Sequence, residues 1–134
     1  MLVIRQEQMN TLIKGTDDEW VDFLATNAKK EDYESVKRKD DSSLREMVRV
    51  AVGKAELYGF TAADDQSAFV AIMFEVAPNF DEQPEIKAVL TEHKLPPSQR
   101  LQKLWSTAVP EEAWEKAAED YDENAWKETR LEQS

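Results

Sequence analysis

Ser43-Leu44-Arg45-Glu46-Met47-Val48-Arg49-Val50-Ala51-Val52-Gly53-Lys54-Ala55-Glu56-Leu57-Tyr58-Gly59 is the stretch whose reading decides the fold class. Leu44, Met47, Val48, Ala51, Ala55 and Tyr58 recur at helical spacing and share one stripe of an α-helix. Ser43 with Glu46 reads as a capping box, in which a hydroxyl and a carboxylate satisfy the free N–H groups of a helix start. Gly59 supplies the stop, because glycine enters the left-handed region that ends helices.

The same punctuation extends in both directions. Upstream, Ile4 to Lys14 reads as a helix ended by Gly15, and Thr16-Asp17-Asp18-Glu19 as a capping box. The helix that follows carries Trp20, Phe23 and Leu24 on one side. Residues Lys29 to Asp41 are highly charged with few apolar anchors, which reads as a short helix or ordered loop on the surface. Downstream, Thr61-Ala62-Ala63-Asp64 opens a helix through Ala77 that is apolar on most sides, which places it mid-fold. Pro78 closes it. Asn79 to Gln83 reads as a turn, with Pro84 in the first turn of a helix running to about His93. Pro96-Pro97-Ser98 separates this from a helix bearing Leu101, Leu104, Trp105 and Ala108. Pro110 with Glu111 and Glu112 opens the last one. With only three glycines and no alternating stretch, the chain reads as all-α: one compact domain of five to seven helices with an acidic C-terminal helix or arm. The division expected is a helical core over 1–109 and an acidic amphipathic extension over 110–134.

A chain of 134 residues fits one domain with a real core. It carries 28 acidic and 17 basic side chains, net −11, with no cysteine and one histidine. That balance argues against nucleic acid, whose phosphates would be repelled, and against an anionic membrane surface. The apolar opening Leu2-Val3-Ile4 is too short for a signal peptide, and no window approaches the ~18 apolar residues of a membrane span. The expected location is the cytoplasm, in keeping with the lack of cysteine.

Catalytic residue types are scarce. A triad or a histidine-bearing metal site would have to be built around His93, which reads as a helix-end or surface residue. Asp17-Asp18, Asp40-Asp41 and Asp64-Asp65 stand at helix starts, where capping explains them. None fits a calcium loop, and no glycine-rich phosphate loop exists. No catalytic, cofactor or metal site is therefore assigned. A small metal-dependent enzyme built on the acid pairs and His93 is the remaining alternative.

The informative segment is the last 25 residues, which hold nine acids and three bases, net −6. Trp114, Ala118, Tyr121 and Ala125 follow a four-three-four spacing there. Large aromatics rimmed by charge are the usual anchors of protein interfaces, and a concentrated field steers a basic partner. Trp114, Glu115, Glu119, Asp120, Tyr121 and Trp126 are the protein-binding candidates. The competing readings are that the last helix packs back and buries Trp114, and that the charge serves solubility. Trp20 and Trp105 read as core.

Ile4-Arg5-Gln6-Glu7-Gln8-Met9 resembles the Ile-Arg-x-Glu-Gln-Met opening of small cytosolic helical proteins encoded beside type VI secretion spike and effector genes. Ala55-Glu56-Leu57-Tyr58-Gly59-Phe60-Thr61 is similar to a tyrosine-glycine helix junction of that group. So are Pro78-Asn79-Phe80-Asp81 with Pro84, and Leu95 through Arg100-Leu101 and Leu104. The resemblance covers roughly residues 1–108. It implies a companion of a secreted toxin or effector: an immunity protein that blocks it, or a chaperone or adaptor that loads it. A self-associating structural or assembly component of the apparatus is the alternative. The resemblance places Arg5, Glu7 and Gln8 in a local polar network with Met9 facing the core, or else in helix-start architecture alone.

Overall fold

The computed structural model describes residues 17–127. The expected helix over Ile4–Lys14, Thr16 of the first capping box and the tail beyond Lys127 lie outside the described residues. Within them the chain forms six α-helices and two 3-10 turns, with no strand. The helices are α1 (Asp17–Glu31), α2 (Asp41–Leu57), α3 (Ala63–Glu75), α4 (Pro84–Leu90), α5 (Pro97–Leu104) and α6 (Glu111–Glu119). The 3-10 turns cover Phe80–Glu82 and Glu123–Trp126. The all-α reading holds.

α2 is the helix that the stripe demands. Leu44, Met47, Val48, Ala51 and Ala55 are buried along it, with Tyr58 at its end. Its start differs from the expected one. Asp40, not Ser43, is the N-cap, and its carboxylate accepts from the Ser43 N–H at 2.7 Å. Asp40 accordingly has a carboxyl pKa held below the usual range by the bond from Ser43. Its end is as expected: Gly59 sits at φ +95°, with Gly59 N–H on Glu56 O and Phe60 N–H on Ala55 O. These paired bonds satisfy carbonyls of the last turn. α3 begins within the expected opening, at Ala63, and its N-cap Ala62 makes no side-chain cap bond; it ends at Glu75, two residues before the expected Ala77.

α1 and α2 run antiparallel. Ion pairs Asp18–Arg49 (3.2 Å), Asp22–Arg45 (2.8 Å) and Lys29–Asp41 bridge them along their length. All three pairs are substantially exposed, so each adds little energy but agrees with the register. α3 packs against α1, α2 and α5 and buries Phe69, Val70, Ile72, Met73 and Phe74, the central position its composition demands. Residues 32–38 form turns between α1 and α2, held by Ser35 Oγ donating to Phe74 O at 2.9 Å.

Two expectations about tryptophan are corrected. Trp105 is 63% exposed, not core. α5 ends at Leu104, so Trp105 lies beyond the last helical residue and leaves the phase that would have buried it. The C-terminal segment does not continue as one helix through Trp126. α6 stops at Glu119, and the 3-10 turn at Glu123–Trp126 brings the chain back onto the body. Ala113, Ala117 and Trp126 belong to the same core cluster as Trp20 and Phe69.

Candidate functional site

The loop after α3 organises the whole C-terminal half. Asp81 is 1% exposed, and its carboxylate accepts from Lys54 Nζ at 2.7 Å and from Tyr58 Oη at 2.8 Å. Lys54 is 0% exposed and also donates to Pro78 O at 3.0 Å. A buried ion pair is tolerable only when its remaining hydrogen-bonding capacity is met, and here both carboxylate oxygens are engaged. Burial, then the Asp81 charge, pushes the Tyr58 hydroxyl far above its ordinary pKa. Asn79 clamps the end of α6: its Nδ2 donates to Asp120 O at 2.9 Å, and its Oδ1 accepts from Asp122 N–H at 3.0 Å.

Arg100 finishes this hub from α5. Its Nη1 donates to Tyr58 O and Leu90 O, both at 2.8 Å, and its Nε donates to Leu95 O at 3.1 Å. Tyr58 and Leu90 mark the ends of α2 and α4, where carbonyls lack helical partners and a cation is favourable. The guanidinium also sits over the Phe60 ring at 5.3 Å. Tyr58, Asp81 and Arg100 come one each from the three stretches, beyond the N-terminal one, that carry the resemblance. They meet here in one buried hub. His93 is exposed on the turn after α4. Among the described residues, no three His, Asp or Glu side chains gather as metal ligands would. No described helix is long and apolar enough to cross a membrane.

A column of rings leads from this core to the surface. Phe69 contacts Phe80 at 5.1 Å, Phe80 stacks on Trp114 at 6.3 Å, and Trp114 stacks on Trp105 at 5.4 Å. Trp114 is half-buried and Trp105 caps the column in solvent. Glu111, Glu112, Glu115 and Glu119 lie exposed along α6, none in an ion pair with a described residue. Asp120 is exposed, 3.9 Å from Lys116.

The other expected binding residues fare differently. Trp126 is 3% exposed, stacked on Phe74 at 4.8 Å, with its Nε1 donating to Tyr121 Oη at 2.8 Å. That indole is a core residue and presents no surface to a partner. Tyr121 is 37% exposed and donates in turn to Glu123 at 3.0 Å. Burial raises the Tyr121 hydroxyl pKa, the Trp126 N–H opposes the rise, and Glu123 adds to it. The structure thus brings Trp114, Glu115 and Glu119 together on α6, and turns Tyr121 and Trp126 into the lock that holds the following turn.

Trp105 also walls a groove of about 670 Å³ between α1 and α3. Leu24, Ala28, Tyr33, Val70 and Phe74 line it with the indole. Its charged lining residues are Glu31, Asp64 and Glu75, all acidic. Burial raises the Tyr33 hydroxyl pKa, and the charges of Glu31 and Glu75 add to the rise. Asn27 lines the groove as well, and its Nδ2 is buried with no hydrogen-bond partner among the described residues. A buried donor without an acceptor costs about 1–3 kcal/mol. The groove was not legible in the sequence, because its walls come from residues forty apart. Comparison of the chain with family models, with curated proteins and with solved structures gave no match.

Proposed function

We propose that the chain is a non-catalytic cytoplasmic protein that binds a toxin or effector of a type VI secretion system, as an immunity protein or as a chaperone or adaptor. The association with type VI secretion rests on the resemblance of the quoted stretches. The binding role rests on one observation: the Trp105–Trp114 stack, whose outer ring is 63% exposed beside the acidic α6. An exposed indole supported from behind by another ring loses little freedom on docking and carries a large apolar area, which suits an interface anchor. The unpaired glutamates of α6 favour a basic partner and speed its approach.

The experiment is capture from the native host with tagged full-length protein at low and high salt. The comparison proteins are Trp105→Ala and the pair Glu115→Lys with Glu119→Lys, all surface changes. A single stoichiometric partner, lost at high salt and from both variants, is the expected result. Wild-type capture by both variants sinks the assignment. An activity assay on the captured protein separates the two roles: an immunity protein suppresses the activity, whereas a loading protein leaves it intact. The exposed Trp105 ring also supports self-association as a component of the apparatus, and a mass that grows with concentration in the absence of partner would favour that reading.

A further inference from the structure

The groove between α1 and α3 fits a particular kind of occupant. Among the described residues its charged lining is acidic, with Asp64 and Glu75 near opposite ends of α3 and Glu31 at the end of α1. Eleven residues of helix separate Asp64 from Glu75, a rise of about 16 Å. The floor between them is apolar, and Trp105 closes one side. Asn27 adds a buried amide donor that nothing in the described structure satisfies. An elongated apolar trough with acids at both ends is complementary in charge and shape to a cationic amphipathic segment.

We propose that this groove receives a cationic amphipathic helical segment of the partner protein. Apolar side chains of that segment fill the trough. Lysine or arginine side chains roughly eleven residues apart reach Asp64 and Glu75. Asn27 lies in the groove wall, where its side-chain amide reports on the occupant. This rests on the reading of the chain as a protein-binding module and names the chemistry of what it binds. Because Trp105 belongs to both the groove and the α6 face, one partner can engage both at once.

The test uses the full-length protein and three synthetic peptides of about 16 residues, long enough for four helical turns. One carries leucine and lysine at amphipathic spacing, the second is its scramble, and the third has every lysine replaced by glutamate. The readouts are the Asn27 side-chain amide resonance and the dissociation constant. The expected result is that the first peptide alone moves the Asn27 amide. Its affinity should fall at least about tenfold in 0.5 M salt and in the Asp64→Lys/Glu75→Lys variant, both substitutions being on groove-rim carboxylates. Equal binding of all three peptides, or no movement of Asn27 by any, overturns the proposal. So does a paramagnetic tag at Met9→Cys, the only thiol in a cysteine-free chain, that broadens groove resonances without peptide, since the occupant is then the chain's own N-terminal residues. A dimer abolished by Ala71→Trp gives the groove to a second copy and overturns it as well. If Trp105→Ala loses the captured host protein while no peptide moves Asn27, the functional reading survives and this inference fails. If the cationic peptide binds as expected but the host yields no partner, the inference stands and the functional reading fails.

Discussion

Replacing Lys54 by methionine tests whether the buried hub holds the C-terminal half in place. The substitution keeps the length of the aliphatic stem and removes only the ammonium. Two bonds go with it, to Asp81 at 2.7 Å and to Pro78 O at 3.0 Å. Asp81, 1% exposed, is left as a buried carboxylate whose only remaining described partner is the Tyr58 hydroxyl. Removing one member of a buried ion pair costs about 3–5 kcal/mol, because the survivor stays desolvated. A domain of this size has roughly 5–15 kcal/mol to lose, so the variant should remain folded at low temperature but melt about 10–20 °C lower. Asp81→Asn alone should cost a similar amount, since an amide oxygen facing Tyr58 turns its N–H groups towards the buried Lys54 ammonium and leaves that charge unpaired. The double variant Lys54→Met/Asp81→Asn removes both charges and should be more stable than the sum of the singles by about 2 kcal/mol. Urea titration followed by helical circular dichroism gives all three values. A loss below about 1 kcal/mol for Lys54→Met, or strict additivity in the double variant, would refute the argument that the pair is buried and mutually dependent.

Three further outcomes follow from the same geometry. Arg100→Lys should cost about 2–4 kcal/mol in the same titration, because an ammonium cannot fork to Tyr58 O, Leu90 O and Leu95 O while lying over Phe60; a neutral result removes Arg100 from the hub. Trp126→Ala should cost about 3–5 kcal/mol whereas Trp105→Ala stays within about 0.5 kcal/mol, and the reverse order in thermal melts would contradict the placement of both rings. Tyr58 has a folded pKa raised above its unfolded value, so its contribution is complete below about pH 10 and is lost as the pH climbs towards the folded value. Wild-type stability should therefore fall between about pH 9.5 and 11.5 more steeply than that of Tyr58→Phe, by up to about 1.4 kcal/mol per pH unit. Parallel slopes would show that the Tyr58 proton is not held by the fold.

Inside a helix, and at ends marked by glycine or proline, the sequence reads well; at unmarked ends it does not. The Leu44–Tyr58 stripe and the apolar mass of Phe69–Phe74 fix which faces are buried, because a side chain's direction follows from its phase as long as the helix continues. Trp105 and Trp126 both lie beyond helices that end before the helical spacing does. The spacings Leu101-Leu104-Trp105-Ala108 and Trp114-Ala118-Tyr121-Ala125 are helical, but α5 ends at Leu104 and α6 at Glu119. Neither end carries glycine or proline at the break. α6 stops where Asn79, some forty residues away, takes the Asp120 carbonyl and the Asp122 N–H. A tertiary bond of that kind leaves no local mark, so helical spacing overruns both ends; acidic surroundings point Trp126 outwards, yet the 3-10 turn buries it while Trp105 is exposed.

Lys54 did leave a mark. It lies three residues after Ala51 and seven after Met47, which puts a lysine on the buried stripe of α2, where a charge persists only if it is paired. The presence of a buried acid elsewhere was thus inferable, but its identity was not, since Asp81 is one of 28 acids in the chain. The candidate site was half legible for the same reason. Charge density and aromatic content drew attention to the segment from Pro110 onwards, and Trp114, Glu115 and Glu119 do lie there on one exposed or half-exposed helix. The indole that anchors the face comes instead from Trp105, and only the stack at 5.4 Å joins it to Trp114. An interface composed from two helices is a property of their packing, and it becomes visible once the ring column from Phe69 through Phe80 fixes how α6 sits on the body. The exposed end of that column is therefore tied to the buried hub: Phe80 lies between Asn79 and Asp81, so a change that loosens the hub should also unseat the Trp105–Trp114 face.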